Sequence, residues 1–144
     1  MNEELLQKEA IREVIDRFSN LEIDVKAQAE LFTADASINV FANGEQTMAI
    51  KSRKEMVEQF SAFTAAVKKA YHMNGQQVIT LEDEQTATDV HYCQAVLVTV
   101  NEDGQEMITN NYIRYTDTLV KEAGKWLIKQ REQEFVITET RVLN

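Results

Sequence analysis

The sequence predicts an α+β domain in which a strongly curved, mostly antiparallel sheet wraps around three helices from the N-terminal half of the chain. Three observations carry this. Apolar residues recur at helical spacing over the first 33 residues and again after Ser52. From Tyr71 onward their period changes to two and stays there. Turn dipeptides punctuate the extended runs at Asn43-Gly44, Asp103-Gly104 and Ala123-Gly124, in a chain with no proline and four glycines.

Each element follows from local signals. Residues 3–19 place Ile11, Val14, Ile15 and Phe18 at i, i+3, i+4 and i+7, with charges between them, and predict a first helix. A second helix is predicted over about 24–33, with Asp24 as its N-cap and Leu31 and Phe32 facing inward. ASINVF, residues 36–41, reads as a strand, and Asn43-Gly44 turns it back into QTMAI. Ser52 with Glu55 three residues later makes a capping box for a third helix, whose apolar face is Met56, Val57, Phe60, Phe63 and Val67. Strands are then predicted at about 72–81, 86–101, 106–120 and 125–138. A bent sheet of this size covered by helices makes a cone with apolar walls and one open end, suited to a small apolar ligand.

The 144 residues make one domain, 1–144, with no repeat, linker or low-complexity tract. The net charge of −9 works against phosphate backbones and anionic lipid, so neither nucleic acid nor a membrane is an expected partner. Cys93 is the sole cysteine and fits a reducing compartment. The N-terminal MNEELLQKEA is acidic and helical, unlike a signal peptide or a membrane span. The expected location is the cytoplasm.

Three stretches resemble a known family: ELFTADASINVF, YHMNGQQVITLEDEQTATDVHY and NNYIRYTDTLVKEAGKWLIKQRE. They are similar to the SnoaL-like, scytalone dehydratase-like branch of the nuclear transport factor 2-like superfamily. That superfamily includes polyketide cyclases, ketosteroid isomerase and bacterial bile-acid dehydratases. The resemblance covers nearly the whole chain and implies a cone-shaped barrel. For an enzyme it implies a cofactor-independent lyase or isomerase. It also places groups around the cone. The histidine that opens the strand after the third helix is His72. The carboxylate near the end of the first helix falls near Leu21, with one residue of slack, and a tyrosine slightly upstream falls near Asp16. The acidic residue on the next strand falls near Ala95, and a second histidine deeper on it falls at Leu97.

His72 is the candidate acid–base group, with Asp16 as the carboxylate that would orient it. The alternative is a polar anchor whose only need is one hydrogen bond to fix its tautomer. The candidate ligand-binding set is Tyr115, His91, Phe41, Leu21 and Cys93. Asp89, His91, Cys93, Ala95 and Leu97 alternate onto one strand face, so His91 and Cys93 face the pocket if Ala95 and Leu97 do. Tyr115 is assigned to the pocket side by the resemblance, where its hydroxyl suits a ligand oxygen. Asp117 and Arg131 are expected to pair structurally across a hairpin. His72, His91 and Cys93 match no metal-ligand spacing. There is no Gly-rich phosphate loop, so no metal and no cofactor are expected.

Dehydration needs a base and an acid, and the aligned positions for the second group hold Leu21 and Ala95. This count favours binding of a small hydrophobic or polycyclic molecule over turnover. The rival is a non-enzymatic ligand carrier or assembly module with a vestigial pocket. Val90, Tyr92, Val96 and Val98 make the outer sheet face apolar, which predicts a homodimer built on it.

Overall fold

The computed structural model describes residues 2–144. Helix α1 spans Glu3–Asn20 and is capped by Asn2, whose side chain accepts from the Glu4 amide. Helix α2 spans only Val25–Ala29, with Asp24 as N-cap. Strands β1 (Phe32–Ala42) and β2 (Glu45–Ile50) form the hairpin, and α3 (Arg53–Thr64) starts from Ser52, whose hydroxyl accepts from the Glu55 amide. The rest is β3 (Lys69–Leu81), β4 (Thr86–Val100), β5 (Glu106–Glu122) and β6 (Lys125–Val142).

The predicted second helix is too long. Its C-terminal part is claimed by the sheet: Phe32 pairs with Ile128, and the Leu31 carbonyl accepts from the Ile128 amide. Once those backbone groups bond to β6, the helix ends at its Glu30 cap.

The six strands run in the order β2-β1-β6-β5-β4-β3. All neighbours are antiparallel except β1 and β6, which are parallel. The sheet is not a closed barrel. β2 and β3 are its free edges, and the helices lie against its concave face. Asn43 and Gly44 both take positive φ, 52° and 79°, as a two-residue hairpin turn of matching twist requires.

One large core joins α1 to the hairpin and the lower sheet through Ile11, Ile15, Phe32, Ile38, Ile50, Met56, Leu119 and Ile128, all buried. A smaller cluster of Cys93, Ala95, Ile113 and Tyr115 lies on the wall above it. Within α3 only Met56 of the expected apolar face is buried; Val67 is buried too but lies past the helix end at Thr64, and Phe63 is 60% exposed, at the open end of the cone. No helix among the described residues is long and apolar enough to cross a membrane.

Candidate functional site

The concave face encloses a two-lobed cavity. The larger lobe holds about 530 Å³ and opens at the rim beside Phe63, Val67, Leu97 and Thr99. The smaller lobe holds about 220 Å³ and reaches toward Phe18, Val25, Val40 and Met48. Glu22, His72, Tyr115, Gln133 and Phe135 border both lobes, so they sit where the two meet.

His72 lies on the inner face of β3 opposite Ala95, and its Nδ1 is 2.5 Å from Glu22 Oε2. An ionised carboxylate only accepts, so this contact holds the proton on Nδ1 and leaves the Nε2 lone pair free. Nε2 bonds no other described residue. His72 is 12% exposed and Glu22 34%, so the pair is reached from the cavity.

Glu22 is held by local structure. It follows the α1 cap Leu21 with φ of 57°, a left-handed conformation that disfavours a side chain. The buried Gln28 of α2 bridges the turn: its Nε2 donates to Phe18 O at 3.0 Å and to Glu22 O at 2.9 Å. The short second helix therefore brackets the residue that orients His72.

Below this pair, α1 and β3 continue a polar ladder. Ser19 Oγ donates to Asn74 Oδ1 at 2.8 Å, and Asn74 and Gln77 donate to Asp16 Oδ1 at 3.1 and 3.2 Å. Asp16, Ser19 and Glu22 recur every three residues, and they meet successive inner residues of β3.

This corrects the expected pairing of His72 with Asp16. Asp16 faces inward, but about two helical turns too deep, where Asn74 and Gln77 occupy it. The carboxylate on His72 is Glu22, one residue past Leu21, which caps the helix and does not line the cavity.

Phe41 is also outside the lining. Val40 and Ala42 line the cavity, and Phe41 between them points to the opposite sheet face. Ala95 and Leu97 do line it, while His91 and Cys93 share their face but lie deeper. The parity was legible, and the depth was not.

His91 is sealed in the core. Its Nδ1 is 2.6 Å from Asp89 Oδ1, and its ring stacks on Tyr115 at 4.8 Å between centroids. Cys93 is buried with Ala95 and Ile113, and burial pushes its thiol up to about 11. It reads as a small hydrophobe rather than a nucleophile.

Tyr115 forms part of the cavity wall as expected. Its ring covers Arg131, whose guanidinium lies 4.3 Å from it and 4.1 Å from Phe18. Arg131 donates two 2.8 Å bonds to Asp117, the expected cross-hairpin pair, so its charge is used below the cavity floor. Burial opposes that charge, but Asp117 outweighs it and the guanidinium stays protonated. Burial pushes the Tyr115 hydroxyl up, so it remains a neutral donor. No cluster of three metal-ligating side chains occurs among the described residues.

The open, strongly curved sheet with helices against its concave face is the fold of nuclear transport factor 2-like proteins. Within that class the chain belongs to the SnoaL-like domain family, whose model matches residues 3–132. No curated protein sequence is significantly similar to it. Solved structures share the fold at low identity. A candidate scytalone dehydratase from Novosphingobium aromaticivorans is 22% identical, with a TM-score of 0.81 over 98% of this chain and 91% of that one. The hexachlorocyclohexane dehydrochlorinase LinA-type3 from Novosphingobium barchaimii is 12% identical, with a TM-score of 0.76 over 96% and 92%. A candidate calcium/calmodulin-dependent protein kinase II association domain from Xanthomonas campestris is 20% identical, with a TM-score of 0.68 over 88% and 85%.

Proposed function

We propose that the cone binds a small, largely apolar molecule and that His72, oriented by Glu22, moves a proton on it as a cofactor-independent lyase or isomerase. The observation that carries this is the Glu22–His72 contact at the junction of the two lobes. Glu22 takes the orienting role that was expected of Asp16, and His72 itself alternates between base and acid. His72 Nε2 takes a proton from carbon. The C–H electron pair forms a double bond as a substituent leaves the neighbouring carbon. When that substituent is hydroxide, the imidazolium returns the proton and water departs. In an isomerisation the proton returns to another carbon instead. The solved relatives that bear dehydratase and dehydrochlorinase names are in keeping with this class of reaction.

The test is a panel of hydroxylated and chlorinated bicyclic compounds, screened by thermal shift and then for release of water or chloride. His72→Ala and Glu22→Gln are run beside the wild type. Turnover that survives His72→Ala at the wild-type rate sinks the reading. Binding without turnover in any variant supports the carrier instead.

We also propose a homodimer built on the outer sheet face. Of the residues expected to form that face, Tyr92 is exposed and Val98 is buried; Tyr71, Met73, Tyr112 and Val136 join Tyr92 there around an apolar groove. Arg114 pairs with Glu134 beside the groove, so the patch is locally neutral on a chain of net charge −9. A second copy meets no charge penalty at this face. Sedimentation showing only monomer at micromolar concentration overturns the dimer. Buried Cys93 suits a reducing, cytoplasmic setting.

A further inference from the structure

We propose that Gln28 is the positioning residue of this site: by pinning both ends of the turn after α1 it holds the Glu22 carboxylate on His72 Nδ1, and so fixes which ring nitrogen of His72 is bare. This rests on the reading of His72 Nε2 as the base and names the residue that keeps that nitrogen available.

The chain leaves α1 in an unusual way. A residue just past a helix cap that turns left-handed is most often glycine. Here it is Glu22, at φ of 57°. A Cβ disfavours that conformation, so the turn needs something outside itself to hold it. The same turn breaks the helix ladder. In a regular helix the Glu22 amide would donate to Phe18 O, but it donates to Ser19 O at 3.1 Å. Phe18 O is left at the helix end without its helical donor. The turn's other backbone bonds, Asp24 N–H to Leu21 O and Val25 N–H to Ile23 O, leave Phe18 O and Glu22 O untouched.

Gln28 meets both needs. It comes from α2 and is 4% exposed. One Nε2 hydrogen goes to Phe18 O at 3.0 Å and the other to Glu22 O at 2.9 Å. A primary amide carries two N–H donors on one nitrogen, so it can clamp two carbonyls at once. A serine or threonine hydroxyl has one donor, and a carboxylate has none. The Glu22 carboxylate has His72 as its described partner, so the place of residue 22 is set through its backbone. The consequence falls on His72. Without an acceptor at Nδ1 the ring proton is free to sit on Nε2, where it blocks the edge that faces the cavity. Gln28 bonds neither His72 nor the Glu22 carboxylate, so it acts through the turn alone.

The experiment reads the tautomer of each histidine from its ring 15N shifts, since protonated and bare ring nitrogens resonate far apart. The chain has two histidines, and His91 serves as the internal standard. Wild type, Gln28→Met, Gln28→Asn and Glu22→Ala are compared at about pH 9, above the ordinary histidine range. The wild type is expected to hold His72 with its proton on Nδ1. Glu22→Ala should cut the ratio of the Nδ1–H to the Nε2–H form at least about tenfold, as for a hydrogen bond to a charged group. Gln28→Met keeps the shape without donors, and Gln28→Asn keeps the amide one methylene short. Each should cut the ratio about 3- to 10-fold and leave His91 unmoved. A general loss of stability would not single out His72. In the unaltered protein, the Gln28 side-chain amide protons should exchange with water at least about tenfold more slowly than those of the exposed Gln76. That measurement decides the matter should either Gln28 variant fail to fold. A wild-type His72 protonated on Nε2, a ratio unchanged in both Gln28 variants, or Gln28 protons that exchange as fast as those of Gln76 overturns the inference. A ratio that shifts while turnover of a compound from the ligand screen holds at the wild-type rate removes the base reading and leaves Gln28 as the residue that sets the tautomer.

Discussion

The chain has two histidines, and each meets a carboxylate through Nδ1 at nearly the same distance: His72 with Glu22 at 2.5 Å and His91 with Asp89 at 2.6 Å. The contacts are alike and the settings are opposite. His72 and Glu22 meet at the cavity, with the Nε2 edge free. His91 and Asp89 are 1% and 0% exposed, and the ring is covered by Tyr115. A histidine–carboxylate pair therefore becomes a candidate catalyst through access, and the same pair under a ring is a structural strut. The buried pair should be felt in stability and the open one in chemistry.

That contrast breaks most visibly at the core. His91→Ala strands the buried Asp89 carboxyl and removes the Tyr115 stack. It should cost about 3–5 kcal/mol, read as a lowered urea midpoint. A loss below about 1 kcal/mol would mean that the buried pair is not structural. At the cavity, His72→Ala should remove about 10²–10⁴-fold of any proton-transfer rate, while shifting unfolding free energy by less than about 1 kcal/mol. Equal stability losses at the two histidines would erase the distinction.

Glu22→Gly sharpens it further. Glycine relieves the left-handed backbone at 22, so stability should rise by up to about 1 kcal/mol while turnover falls with the lost carboxylate. A variant that is neither more stable nor less active would show that the strained turn serves no catalytic end. Cys93 offers a smaller test beside the buried pair. With its thiol pushed up to about 11, roughly one molecule in 10³ is thiolate at pH 8, so native iodoacetamide labelling should be limited by opening of the fold. Labelling as fast as in denaturant would contradict that burial. Smallest is Ala123→Asn in the β5–β6 turn. Ala123 holds φ of 50°, which asparagine tolerates better, and a gain of a few tenths of a kcal/mol in thermal unfolding is expected.

The meander was legible because its strands are long and their turns carry strong local signals. Asn43-Gly44 and the Ser52–Glu55 cap act within four residues: the turn appears as read, and of the capping box the structure shows the Ser52 hydroxyl accepting from the Glu55 amide. The Asp117–Arg131 pair was legible because regular antiparallel register fixes who faces whom. The parallel contact of β1 with β6 was not legible, since nothing within either strand encodes a partner so far along the chain. Glu22 was missed for a related reason. It sits just beyond the periodic helix, on a turn whose conformation is set by Gln28 from the next element. One sequence signal pointed to it. Asp16, Ser19 and Glu22 are spaced by three, a polar stripe on a helix whose other inward residues are apolar. Followed to its end, that stripe puts the carboxylate at the rim, beside the residue that opens β3. Phe41 was misplaced because both faces of β1 carry apolar residues, so parity alone left its side ambiguous.

The parallel pairing of β1 with β6 also bears on how the chain acquires its shape. β6 is made last yet lies in the middle of the sheet, joined to a strand more than 90 residues earlier. During synthesis the first hairpin has no strand to join until β6 has been made. Such long-range closure slows folding, and an orphaned hairpin edge is open to other chains meanwhile. The late strand also carries Gln133 and Phe135, so the cavity wall and the fold are completed in the same event.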